Sequence, residues 1–116
     1  MADRLIDRYD GVICDLDGVV YRGPEPVAHA VEILNGLEQR VVYATNNASR
    51  TPTDVAGHLR DLGIELQVAS VVTSSTAAAA VLARQLEAGA PVLAVGGEGV
   101  GAALAEVGLR PVSPAE

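Results

Sequence analysis

Short apolar runs alternate along this chain with stretches in which apolar residues recur every three or four positions. The first run, Val12-Ile13-Cys14-Asp15-Leu16-Asp17, predicts a strand from about Gly11 to Leu16, and its continuous apolar character predicts burial on both faces of a parallel sheet. Gly23-Pro24-Glu25-Pro26 is turn chemistry, with Pro26 suited to the first position of a helix reaching about Leu37. Val27, Ala30, Val31 and Leu34 fall on one face of that helix. Arg40 to Thr45 predicts a second strand, ending in the loop formers Asn46-Asn47-Ala48-Ser49.

Thr51-Pro52-Thr53-Asp54 predicts a capped helix start, and Gly63 its end. Val68 to Thr73 predicts a third strand, followed by an Ala-rich helix capped by Ser74 or Ser75 and ending at Gly89. Pro91 to Val95 predicts a fourth strand, and a last helix runs from Gly97 to about Val107 before Gly108. Residues 1–10 read as a polar lead-in, and the tail from Arg110 as a linker or the start of a truncated continuation. Alternating strands and helices predict an α/β fold around a parallel, Rossmann-like sheet of about four strands.

Chemistry concentrates where the first strand ends. Unpaired carboxylates rarely sit in a core, so Asp15 and Asp17 are expected at or just past the strand's carboxyl end, where open α/β sheets bind ligands. Two like charges so close call for a cation or a shared proton, and hard oxygen ligands suit Mg²⁺. Gly18 would let the backbone approach a ligand closely. A solvated Asp-Gly turn is the plainer reading, but it leaves the second aspartate unexplained. A calcium loop is rejected, because Val19 and Val20 stand where it needs an oxygen ligand and a glycine. Thr45 closes the second strand, and strands about 4.8 Å apart can share one ligand at their ends. Its hydroxyl and the following N–H groups are the donors a phosphoryl group needs.

The string Asp15-Leu16-Asp17-Gly18-Val19-Val20-Tyr21-Arg22-Gly23 resembles the first motif of the haloacid dehalogenase-like (HAD) phosphohydrolases, in the branch of the NagD-type, p-nitrophenyl phosphate and phosphoglycolate phosphatases. Thr45-Asn46-Asn47-Ala48-Ser49-Arg50 resembles the branch's second motif, and Val71-Val72-Thr73-Ser74 and Val95-Gly96-Gly97-Glu98-Gly99 also look like it. The resemblance implies a Mg²⁺-dependent phosphate-monoester hydrolase in which Asp15 attacks phosphorus and Asp17 is acid and base. It implies that the Asp15 carboxylate and the Asp17 carbonyl hold Mg²⁺. It further implies that Thr45, with amides near Leu16, Asp17 and Asn46, binds the phosphoryl oxygens of a small phosphorylated metabolite.

Composition bounds this picture. The chain has 116 residues and a net charge of −7, which disfavours nucleic acid and anionic membranes as partners. Its single cysteine, Cys14, fits a reducing, cytoplasmic setting, and neither a signal peptide nor a membrane span is read. There is no lysine anywhere, so the lysine of the branch's usual third motif is missing, and no acidic pair follows the fourth strand. Residues 1–110 are therefore expected to be the N-terminal part of a HAD-like core, inactive alone, with 111–116 a linker or truncated continuation and the cap domain and C-terminal core absent. Two rivals stand beside this reading. Gly97, Gly99 and Ala102 fit a G-x-G-x-x-A dinucleotide fingerprint after a strand. An incomplete sheet with an unpaired edge could instead serve as a homo-oligomeric assembly module. Cys14 reads as core, His29 and His58 as surface or half-buried helix residues, and Arg50 as a solvated loop residue.

Overall fold

The computed structural model describes residues 4–113. Three parallel strands form the main sheet: β1 (Gly11–Asp15), β4 (Arg40–Thr45) and β5 (Val71–Thr73), in the order β1-β4-β5. Asp15 pairs with Ala44, and Thr45 with Thr73, so the carboxyl ends of all three strands finish level. Between β1 and β4 the chain forms a small antiparallel hairpin, β2 (Tyr21–Arg22) with β3 (Glu25–Pro26), and then helix α1 (Ala30–Asn35). Helix α2 (Pro52–Asp61) connects β4 to β5. Helix α3 (Ser74–Gln85) then leads to β6 (Pro91–Leu93), α4 (Glu98–Glu106) and β7 (Arg110–Val112).

Two cores result. Under the main sheet, Cys14, Tyr43 and Val71 pack with Leu16 and Val20 against Val55, Ala56 and Leu59 of α2. The second core is smaller, joining Ala79 of α3 to Ala103, Leu104 and Leu109, with Val92 and Leu82 around them.

Several sequence expectations are corrected. Among the described residues strand β1 is covered on one face only, where Cys14 packs in the core with α2; Ile13, on the other face, is 80% exposed. Pro26 sits in the hairpin, opposite Tyr21, and the helix starts later, at Ala30. A proline lacks an N–H to donate, and it is tolerated here because β3 is the edge of a two-stranded ribbon. The fourth strand does not extend the main sheet. β6 pairs in parallel with β7, so residues 110–112 of the tail are strand rather than linker, while 114–116 lie outside the described residues. Part of the polar lead-in, Leu5–Arg8, is a 3₁₀ turn, and Val68–Ser70 is another before β5.

The helix starts show the sequence at work. Thr51 caps α2 as expected, its Oγ1 accepting from the Asp54 N–H at 3.2 Å, with Pro52 at the first position. For α3 the cap is Thr73 rather than either serine: the Thr76 N–H donates to Thr73 Oγ1 (3.1 Å), and the Thr73 N–H to Thr76 Oγ1 (3.0 Å). The serines are free for other partners because Thr73 closes that turn. Helix α3 stops at Gln85, short of Gly89, and α4 runs to Glu106, close to the expected end.

Candidate active site

The level strand ends bring the two sequence motifs together. Asp15 shares a hollow of about 230 Å³ with Thr45 and Asn46, and with Thr73 and Ser74 of the third strand end. Asp17, two residues on, faces a neighbouring cavity of about 420 Å³ with Tyr21, Asn47, Arg50 and His58. A larger hollow, about 580 Å³, lies around Gln39–Tyr43 and the Glu65–Ser70 connection and includes neither aspartate. In a parallel α/β sheet the carboxyl ends are the binding end, so size is the poorer guide here.

Local bonding fixes the carboxylate-bearing turn. The Leu16 N–H donates to Asp15 Oδ1 at 2.9 Å, which orients that carboxylate at the strand exit. The Leu16 carbonyl accepts from the N–H groups of Val19 (3.1 Å), Val20 (2.9 Å) and Tyr21 (3.4 Å), and the Gly18 N–H donates to the Tyr21 carbonyl (2.8 Å). This tight turn puts Gly18 at φ +82°, with open space where a Cβ would stand. Gly18 therefore takes a left-handed turn conformation that favours glycine. Leu16 and Val20 anchor the turn from below, both fully buried.

At the end of β4 the buried Thr45 accepts from the Asn47 N–H through Oγ1 (3.1 Å), so its hydroxyl proton is left to donate outward. The Asn47 Oδ1 accepts from the Ser49 N–H (3.1 Å) and Ser49 Oγ, which leaves the Asn47 amide nitrogen as a donor on the cavity wall. The Tyr21 and His58 rings meet edge to face with centroids 4.6 Å apart. Burial pushes the Tyr21 hydroxyl up, aided by the negative charges of Asp17 and Asp15, while Arg50 opposes the shift. Burial likewise raises the Cys14 thiol, with Asp15 beside it, and Cys14 is a core residue, as read.

The sequence pattern of the haloacid dehalogenase-like hydrolases matches residues 12–110. The chain belongs to that family.

Among HAD-like relatives, it is 44% identical over 108 residues to D-glycerol 3-phosphate phosphatase of Mycobacterium tuberculosis, covering 93% of this chain and 31% of that protein. It is 36% identical over 104 residues to the acid sugar phosphatase of Staphylococcus saprophyticus, covering 87% of this chain and 40% of the relative. The crystal structure of the M. tuberculosis glycerol phosphate phosphatase in complex with magnesium superposes with a TM-score of 0.88 at 44% identity, over 93% of this chain and 33% of that one. The p-nitrophenyl phosphatase of Archaeoglobus fulgidus gives 0.80 at 29% identity, over 89% and 40%. The chain thus spans between about a third and two fifths of the length of these HAD-like relatives.

The dinucleotide reading of Gly97, Gly99 and Ala102 is not supported. Where a Cβ of Gly97 would stand, the Ser49 Cβ lies 2.5 Å away, and at Gly99 the carbonyl oxygens of Arg50 and Ala48 lie at 2.5 and 2.6 Å. The close approach those glycines permit is to this chain's own Ala48–Arg50 segment. Ala102 is exposed on α4.

His58 is half-buried in α2, as read, and it also lines the cavity beside Asp17. It lies seven residues past the α2 cap, about 10 Å along a helix that starts at the second motif's loop. That distance, read with the direction of the helix, could have placed it over the β2–β3 hairpin. Arg50 is exposed as read, yet it lines the Asp17 cavity.

Proposed function

We propose that this chain carries the nucleophile-bearing part of a Mg²⁺-dependent phosphate-monoester hydrolase. The observation that supports this most is the level finish of β1 and β4, with Asp15, Thr45 and Asn46 around one hollow and Asp17 at the next. The Asp15 carboxylate attacks phosphorus, forming an aspartyl-phosphate as the bond to the ester oxygen breaks. Asp17 gives that oxygen a proton, and then takes one from the water that attacks the phosphorus of the aspartyl-phosphate, freeing phosphate and Asp15. The Thr45 hydroxyl, with amides at Leu16, Asp17 and Asn46, holds the phosphoryl oxygens.

The donors suit Mg²⁺. Asp15 and Asp17 offer hard oxygens, and Mg²⁺ is commonly held by one or two carboxylates, water and substrate phosphate. Among the described residues no group of three or more His, Cys, Asp or Glu could hold a metal, so further ligands would come from elsewhere. The Asp15 carboxylate and Asp17 carbonyl would hold it, and bound Mg²⁺ supplies neutralisation of phosphoryl charge.

The substrate is a small phosphorylated metabolite of the glycerol phosphate or sugar phosphate kind, as the relatives' names suggest. The polar cavity beside Asp17, with Asn47, Arg50 and His58, suits an oxygen-rich leaving group. Residues 1–110 form the N-terminal part of the core, with specificity completed by a cap domain in the whole protein. A cytoplasmic setting fits the single free, buried thiol of Cys14. No helix of the described residues is long and apolar enough to cross a membrane.

The test is Asp15→Asn in a protein of the relatives' full length that carries this sequence. Turnover of p-nitrophenyl phosphate should fall on the order of 10⁴-fold or more, as for loss of other nucleophiles. Substantial residual turnover would assign the attack to another group. Residues 1–116 alone should hydrolyse the ester no faster than a buffer control, because the family's third-motif lysine is missing.

A second reading rests on a different observation. Among the described residues no strand pairs with β1 on its outer edge, and Ile13 stands 80% exposed on the uncovered face. Such an edge invites association between copies. Light scattering over a concentration series would show a rising mass, and a constant monomer mass would dismiss this reading.

A further inference from the structure

We propose that Gly97 and Gly99 are positioning residues for the Asn46–Arg50 loop, holding the Asn47 N–H on Thr45 Oγ1 and so the hydroxyl that would meet a phosphoryl oxygen. The inference rests on the phosphatase reading for its binding arm, and on geometry alone for its structural arm.

Loops at the ends of strands are ordinarily the mobile part of a fold. This one is held at three carbonyl oxygens by two helix starts. Ser74 Oγ donates to the Asn46 carbonyl (3.2 Å), and Ser75 Oγ to the Ala48 carbonyl (3.0 Å). The Gly99 N–H of α4 donates to the Ser49 carbonyl at 3.0 Å. In a trans peptide the C=O and the next N–H point in opposite directions. Drawing these carbonyls toward α3 and α4 therefore turns the N–H groups of Asn47, Ser49 and Arg50 the other way. The Asn47 N–H so turned reaches Thr45 Oγ1, and the Ser49 N–H reaches Asn47 Oδ1.

The α4 contact is possible only without a side chain. A Cβ on Gly99 would lie 2.5 Å from the Arg50 carbonyl oxygen and 2.8 Å from the Arg50 carbonyl carbon, backbone that cannot swing aside. A Cβ on Gly97 would meet the Ser49 Cβ at 2.5 Å and Cα at 2.8 Å. Gly101, in the same helix, would meet only the Pro111 Cβ, at 3.8 Å, an ordinary contact. It is a matched control that gains the same helix propensity on changing to alanine.

The experiment compares the full 116-residue chain with Gly99→Ala, Gly101→Ala, Gly97→Ala, Ser49→Gly and the Gly97→Ala/Ser49→Gly double variant. Each is titrated calorimetrically with inorganic phosphate in Mg²⁺, and its amide resonances are recorded. Gly99→Ala should weaken phosphate binding about tenfold and move the Asn46–Arg50 amide signals, while Gly101→Ala changes neither. Gly97→Ala should weaken binding less, and Ser49→Gly, which removes the facing Cβ, should restore part of that loss. This pair carries the test if Gly99→Ala does not fold. If the parent chain, which lacks the third-motif lysine, binds no phosphate, the phosphatase reading stands or falls on the Asp15→Asn test and the amide signals decide the inference. Equal behaviour of Gly99→Ala and Gly101→Ala, or no coupling between Gly97 and Ser49, overturns it.

Discussion

The β1-β4-β5 region and the β6–β7 region are built from similar residues and differ in what they hold. The first has a core of nine buried residues, anchored by the fully buried Leu16 and Leu59, and carries every carboxylate and hydroxyl of the candidate site. The second has four buried residues, two of them alanines, and contributes no side chain of its strands to either site cavity. Its helix α4 reaches the site through backbone, the Gly99 N–H donating to the Ser49 carbonyl. The difference teaches that the candidate groups and their support are supplied separately: one region bears the candidate carboxylates and the Thr45 hydroxyl, and the other braces the Asn46–Arg50 loop.

Substitutions can break that division. Leu59→Ala should cost about 3–5 kcal/mol in urea unfolding, since Leu59 has no exposure and the surrounding sheet and helix collapse poorly around a void. Leu104→Ala, in the smaller core, should cost about 2–3 kcal/mol, and hydrogen exchange should rise in β6 and β7 while β1 and β4 stay protected. If Leu104→Ala instead deprotects β1 as strongly, the two regions unfold as one. Thr73→Ala removes the α3 cap and should cost about 1–2 kcal/mol, measured the same way.

Smaller effects sharpen the picture. Ile13→Thr should change monomer stability by less than about 0.5 kcal/mol, because the side chain is already in water, while lowering any concentration-dependent mass. Cys14 should alkylate more slowly in the folded chain than in urea at mildly alkaline pH, since burial and Asp15 favour the protonated thiol. The sign for stability follows from the same shift. The contribution is complete below the unfolded thiol's pKa and is lost as pH rises through the higher folded value. Equal alkylation rates in the two states would show that the thiol is not sequestered.

Much of this was legible in the residues because it depends on local rules. Asp15 and Thr45 could be placed at strand ends from the point where apolar runs stop, and Thr51-Pro52 announces a helix from its own chemistry. What escaped depends on distant partners. Pro26 looks like a helix start until Tyr21 is seen to pair with it. Ser74 and Ser75 look like caps until Thr73 takes that part and they turn to the Asn46 and Ala48 carbonyls. The glycines of α4 fit a nucleotide fingerprint, and only the three-dimensional approach of Ser49 shows what their missing side chains make room for. Ile13 reads as core because a hydrophobic run cannot report which face a helix will cover.

The hydroxyl of Thr45 accepts one hydrogen bond and has another to give. A group that accepts from one neighbour donates more strongly to the next. An oxyanion arriving at that proton would therefore tighten the turn behind it, and a stiffer turn would in return hold the anion longer. The Asn47 N–H never has to touch the guest to register its arrival: slower deuterium uptake at that one amide would report occupancy through two bonds in series.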